Sequence, residues 1–90
     1  MSPAQAHKVI KRVGRRIAEL RIQRGVTQAD FSEEASVGLR YLQRVEAGHE
    51  NLTLDSLAKI ASKLGVEVIE LFRIPSKPPT KRGRPPKQRR

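Results

Sequence analysis

The sequence predicts an all-α fold of five helical elements, followed by a disordered basic C-terminal tail. Three observations carry this. Apolar residues recur at three- and four-residue spacing through most of residues 1–72. Most of these stretches open at a Ser or Thr and close at a glycine, the punctuation of helices. No stretch alternates apolar and polar residues long enough to compete as a strand, apart from the short run Val66–Ile69. Ninety residues suffice for one small domain and not for two.

The first helix opens at Ser2-Pro3-Ala4-Gln5, with Ser2 as N-cap, Pro3 at the first helical position and Gln5 at the third. Ile10, Val13, Ile17 and Leu20 form its apolar face, which predicts a helix to about Arg24 that stops at Gly25. Gly14 lies inside it at a cost of about 1 kcal/mol relative to Ala, which leaves room for a bend or fraying before it. Lys8, Lys11, Arg12, Arg15 and Arg16 occupy the polar side, which serves equally as solvated surface or as phosphate contact.

Residues 27–48 organise the chain. Thr27 caps a second helix, with Asp30 three positions on, and Phe31 and Ala35 face inward. Ala35-Ser36-Val37-Gly38 leaves room only for a tight turn. A third helix begins near Leu39, carries Leu42 and Val45 inward and stops at Gly48. Arg40, Gln43 and Arg44 fall on its opposite face. Two short helices crossing at such a turn, the second with an exposed Arg/Gln face, form a helix-turn-helix, whose second helix can enter the major groove of DNA.

A polar loop, His49-Glu50-Asn51-Leu52, leads to Thr53, the next N-cap, with Asp55 favourably placed in the first turn. Leu54, Leu57, Ile60, Ala61 and Leu64 make an apolar stripe that Gly65 ends. Val66–Phe72 makes a short fifth element, either a helix or an extended segment, and the helix is favoured. Pro75 marks the boundary, so residues 1–74 are the domain and 75–90 the tail. From Ser76 onward there are four prolines, seven basic residues and no side chain able to join a core. Such a segment cannot offset its ordering entropy by burial.

Nineteen basic residues against nine acidic ones give a net charge of +10. Residues 1–24 contribute +6, residues 25–72 contribute −4 and residues 73–90 contribute +8. A basic excess of this size implies a polyanionic partner, nucleic acid or an anionic membrane surface. With no cysteine, disulfides and cysteine metal sites are excluded. No apolar run approaches the ~20 residues that span a bilayer, and the N-terminus lacks a signal-like apolar region. A cytoplasmic, nucleoid-associated protein is therefore expected. Phe31, Tyr41 and Phe72 are the only aromatics, too few for the stacking platforms of RNA-recognition sheets and single-strand-binding barrels. His7 and His49 have no nucleophile or ligand partner nearby, and no Gly-rich phosphate loop exists. No enzyme, cofactor or metal is expected.

Val13 to Phe72 resembles the Cro and phage-repressor helix-turn-helix family, a lambda-repressor-like domain of five helices. The residues that carry the resemblance are Arg21-Ile22-Gln23-Arg24-Gly25-Val26-Thr27-Gln28, then Tyr41-Leu42-Gln43-Arg44-Val45-Glu46-Ala47-Gly48. Asn51-Leu52-Thr53-Leu54, Ile60-Ala61-Ser62-Lys63-Leu64-Gly65-Val66 and Glu70-Leu71-Phe72 complete it. The resemblance implies a sequence-specific, double-stranded DNA-binding transcriptional regulator. Gln28 would lie at the major groove and bond a phosphate, while Leu39, Arg40, Gln43 and Arg44 would meet base edges. Arg suits guanine, Gln adenine, and Leu39 a thymine methyl. Thr27, Tyr41 and Asn51 would sit against the backbone, and Arg21 and Glu46 would form a structural ion pair. Ser36 replaces the family's usual turn glycine, Gly38 a capping Ser/Thr, Leu52 a proline and His49 a basic residue.

Lys81-Arg82-Gly83-Arg84-Pro85-Pro86-Lys87 resembles an AT-hook, a short minor-groove binder. The narrow groove of A·T tracts concentrates negative potential and attracts arginine. Gly83 avoids the groove walls, Pro85 and Pro86 hold an extended course, Arg82 and Arg84 can follow the floor, and Lys81 and Lys87 can reach phosphates. A nonspecific basic tail is the simpler alternative. Val66, Ile69 and Ile74 suggest an apolar patch for a homodimer. Two other functions fit the same residues: an antitoxin-type interaction module that autoregulates, and a nucleoid-type architectural binder.

Overall fold

The computed structural model describes residues 1–76. They form α1 (Pro3–Gln23), α2 (Gln28–Glu34), α3 (Leu39–Glu46), α4 (Leu54–Leu64) and a terminal 3-10 helix (Val68–Phe72), with no strand among the described residues.

α1 starts in a complete capping box. Ser2 Oγ accepts from the Gln5 amide at 3.2 Å, and Gln5 Oε1 accepts from the Ser2 amide at 2.9 Å. No bend forms at Gly14: α1 is a single helix of 21 residues. Gly14 is there because α3 crosses α1 at that point. A Cβ on residue 14 would stand 2.1 Å from the Val45 carbonyl oxygen, closer than any packing permits. The propensity cost of the glycine is thus the condition for bringing the two helices into contact.

α2 and α4 each begin at a threonine whose Oγ1 accepts the amide three residues on, Thr27 from Asp30 and Thr53 from Ser56, both at 3.0 Å. Between α2 and α3 the chain turns through Ser36 at φ 56°, a left-handed conformation unusual for a residue with a Cβ. Gly38 caps α3 without a side-chain bond. The α2–α3 turn is held by backbone bonds, Ser36 N to Glu33 O at 3.2 Å and Val37 N to Ser32 O at 3.0 Å, and by packing, with Phe31, Ala35, Leu42 and Val45 wholly buried.

The fifth element differs from the expected helix over Val66–Phe72. Val66 is consumed in ending α4: its amide bonds to Ala61 O at 3.0 Å while Gly65, at φ 77°, bonds to Ser62 O at 3.1 Å. Of the residues that remain, Glu67 is the N-cap and Val68–Phe72 wind as a 3-10 helix that buries Leu71. Leu54, placed by periodicity on the α4 stripe, is instead 79% exposed, because the core side of α4 begins only with Leu57.

Ile17, Phe31, Leu42, Val45, Ile60 and Leu71 are the large, fully buried side chains, so every element contributes to one core. α1 packs on α3 and on the 3-10 helix, α2 on α3, and α4 on the 3-10 helix. Arg16 fastens the chain end: its Nε donates to Glu70 O at 2.9 Å, and its terminal nitrogens reach Glu19 at 2.9 Å and Glu70 at 3.3 Å. Arg73 Nε donates to Glu70 at 2.8 Å. The Ser76 amide donates to Glu19 at 3.0 Å, and the Ser76 hydroxyl bonds the same carboxylate oxygen. The last of the described residues therefore lies against the side of α1.

Candidate nucleic-acid interface

With Leu42 and Val45 buried, the 3.6-residue period turns Leu39, Arg40, Gln43 and Arg44 outward, and all four are exposed. Leu39 retains 40% of its surface, a partly packed apolar group at the start of α3. Arg40 has no ion-pair partner among the described residues. Arg44 is engaged: its Nε donates to Glu50 Oε2 at 2.8 Å and its Nη2 to the His49 carbonyl at 2.9 Å. The sequence reading gave Glu50 no role. Its only signal there was an acidic side chain in a loop that follows the Arg-bearing helix.

Beneath this surface lies a buried polar junction. Arg21 donates to Glu46 through two bonds, Nε to Oε2 at 2.7 Å and Nη2 to Oε1 at 3.0 Å, and its Nη1 donates to Val26 O at 2.7 Å. The two side chains keep 11% and 6% of their surface. Gln28 Nε2 donates to Glu46 Oε1 at 2.9 Å, which uses one of its two amide hydrogens and leaves the second N–H and the carbonyl oxygen uncommitted. This junction ties α1, the start of α2 and the end of α3 together, which fixes the position of the outward face of α3.

Of the residues assigned to the DNA backbone, Thr27 and Asn51 are exposed, and the Thr27 hydroxyl oxygen is already the cap of α2. Tyr41 is half-buried and packs against the core. Lys8, Lys11, Arg12 and Arg15 on α1 have no ion-pair partner among the described residues. Lys11 lies against the end of α3: a Cβ on Gly48 would meet Lys11 Cγ at 2.6 Å. Ile69 and Ile74 are 67% and 74% exposed, while Val66 is half-buried. Lys81, Arg82, Gly83, Arg84, Pro85 and Lys87 lie outside the described residues. Among the described residues no cluster of potential metal ligands occurs, and no helix is long and apolar enough to cross a membrane.

The chain is similar to several regulators. It is 36% identical over 61 residues to an HTH-type transcriptional regulator, y4dJ, of Sinorhizobium fredii, across 68% of this chain and 79% of that one. It is 36% identical over 56 residues to the immunity repressor protein of Bacillus phage phi105, a match spanning 62% of this chain and 39% of the repressor. Among solved structures, the restriction-modification controller protein C.AhdI from Aeromonas hydrophila superposes with a TM-score of 0.68 at 32% identity, over 70% of this chain and 96% of that one. An HTH_3 family transcriptional regulator from Vibrio cholerae shares the fold, with a TM-score of 0.71 at 24% identity, over 74% of this chain and 38% of that one. Residues 17–71 match the helix-turn-helix family HTH_3. The chain thus belongs to the HTH_3 family, DNA-binding transcriptional regulators of the Cro/C1 repressor type.

Proposed function

We propose that this protein is a sequence-specific regulator that lays α3 in the major groove, with Arg40, Gln43 and Arg44 on base edges and Leu39 against a thymine methyl. The observation that carries this reading is the outward Arg40–Gln43–Arg44 face on a helix whose other face is wholly buried. A rigid helix that presents donors in a fixed fork is what direct readout requires. Gln28 reaches α3 through Glu46, and Thr27 and Asn51 are assigned to the DNA backbone beside it. The phosphate contact assigned to Gln28 falls to its second amide hydrogen, while the first stays on Glu46. Tyr41 is the weakest of the backbone contacts, being half-committed to the core.

Two finer features belong to the same reading. The domain ends near residue 74 and the segment from Lys81 to Lys87 binds the minor groove of A·T-rich flanks as a tethered arm, which raises its local concentration on DNA. Val66, Ile69 and Ile74 pair two copies, so that two α3 helices address half-sites about one helical turn apart. The relatives described as an immunity repressor and a controller protein fit a protein that acts on a few defined sites.

Selection from a random duplex pool, with the whole chain and with residues 77–90 removed, tests the reading. The expected result is a compact motif, repeated with two-fold symmetry, that both forms enrich. Removal of the tail should erase an A·T preference in the flanks and flatten the salt dependence of affinity. Ser76 is retained in the shortened form because it bonds Glu19. Enrichment of A·T-rich DNA without a motif would point instead to an architectural binder.

A further inference from the structure

We propose that Glu50 is a positioning residue for base recognition: it holds the Arg44 guanidinium by one edge and leaves the reading edge free. The inference rests on the assignment of Arg44 to a base edge. The bonds on Arg44 use Nε, to the Glu50 carboxylate at 2.8 Å, and Nη2, to the His49 carbonyl at 2.9 Å. In a guanidinium these two nitrogens share one edge. Nη1 has no acceptor among the described residues, and Nη2 carries a second hydrogen beside its one bond, so the terminal edge is not taken by the carboxylate. A guanine O6/N7 pair accepts two parallel N–H bonds, which the terminal fork can supply while Nε stays on Glu50. A carboxylate that competed with DNA would occupy that fork, and this one does not.

Glu50 is suited to the task. It stands two residues beyond Gly48, which is buried against Lys11 of α1, so the loop that carries it leaves α3 at a fixed point. Its side chain keeps 27% of its surface against 51% for Arg44, so the less mobile partner restrains the more exposed one. An ion pair this exposed adds little to folding stability. Its effect lies in the arginine, which loses fewer rotamers on binding when it is already held. The carboxylate also places negative charge beside the DNA-facing surface, which disfavours indiscriminate phosphate binding.

The test uses the whole chain and the duplex that it enriches from a random pool, together with copies of that duplex changed at each base pair. Arg44→Ala should erase discrimination at one base pair. Glu50→Ala should weaken discrimination at that same base pair by about 2- to 10-fold. It should leave the other positions and the melting temperature nearly unchanged. Glu50→Gln, which keeps an acceptor for Nε, should restore most of the loss, and the double variant should match Arg44→Ala. If Arg44→Ala alters discrimination and Glu50→Ala does not, or if Glu50→Ala tightens binding to the preferred duplex with discrimination intact, the positioning role is wrong. If Arg44→Ala alters discrimination nowhere, the assignment of Arg44 fails and the role of Glu50 falls with it.

Discussion

Glu46 shows how a single buried charge holds the reading surface in place. It accepts two bonds from Arg21 and one from Gln28 in surroundings where its side chain keeps 6% of its surface. Its removal strands the Arg21 guanidinium without a counter-ion, which costs about 3–5 kcal/mol, far more than an exposed pair would. Glu46→Ala should therefore lower the thermal midpoint by more than about 10 °C, read by circular dichroism. A variant of unchanged midpoint but altered sequence preference would give Glu46 a direct role in readout instead. In the sequence the pair was visible only through family resemblance, since 25 residues separate its members and no periodicity links them. The bonds of Gln28 to Glu46, of Arg21 to Val26 and of Arg44 to Glu50 were beyond sequence reasoning. They depend on where the turn after α1 and the loop after α3 bring the chain back.

Gly14 and the crossing of α1 with α3 decide the geometry at the next scale. Propensity alone favours Ala at position 14 by about 1 kcal/mol. The added methyl would meet the Val45 carbonyl at 2.1 Å, and forced overpacking of this kind costs about 1–3 kcal/mol or more. The clash wins, so Gly14→Ala should be destabilising in chemical denaturation; a stabilised variant would contradict the close crossing. The caps of α1, α2 and α4, most of the apolar faces and the glycine stops of α1, α3 and α4 were legible because each is a local pattern of 3–11 residues. Gly14 was misread because propensity is local whereas its reason lies on another helix. Val66 was misread because a helix end takes its closing residue from the segment beyond it.

The terminal 3-10 helix adds a pH dependence. The Ser76 hydroxyl, and then Arg16, hold the Glu19 carboxyl below its ordinary value of 4.5 despite partial burial. Arg73, with Arg16, does the same for Glu70. Both carboxyls bind protons less readily when folded. Their contribution is thus complete above the ordinary carboxylate range and is lost as the pH falls through the lowered values. Acid titration followed by amide NMR should release Glu70 to Ser76 before the α1–α3 core. Simultaneous loss of both would mean that these bonds do not anchor the chain end.

At the scale of the molecule, charge summed along the sequence misleads in one respect. The −4 of residues 25–72 suggests an acidic middle, yet Glu34, Glu46, Glu50 and Glu70 are all paired with arginines. Arg16, Arg21, Arg24 and Arg73 come from the two basic ends, so folding neutralises much of that acidity. What stays unpaired among the described residues includes Lys8, Lys11, Arg12, Arg15 and Arg40, the cations available to a polyanion.

The outward face of α3 remains the centre of the account, and one comparison addresses it directly. The whole chain and its Arg40→Ala/Arg44→Ala variant are each taken through selection from a random duplex pool, with amide NMR spectra to show that both are folded. The expected result is a native spectrum for both and loss of the enriched motif in the variant, with salt-sensitive nonspecific binding retained. A folded variant that enriches the same motif would contradict the account, because sequence would then be read elsewhere on the molecule.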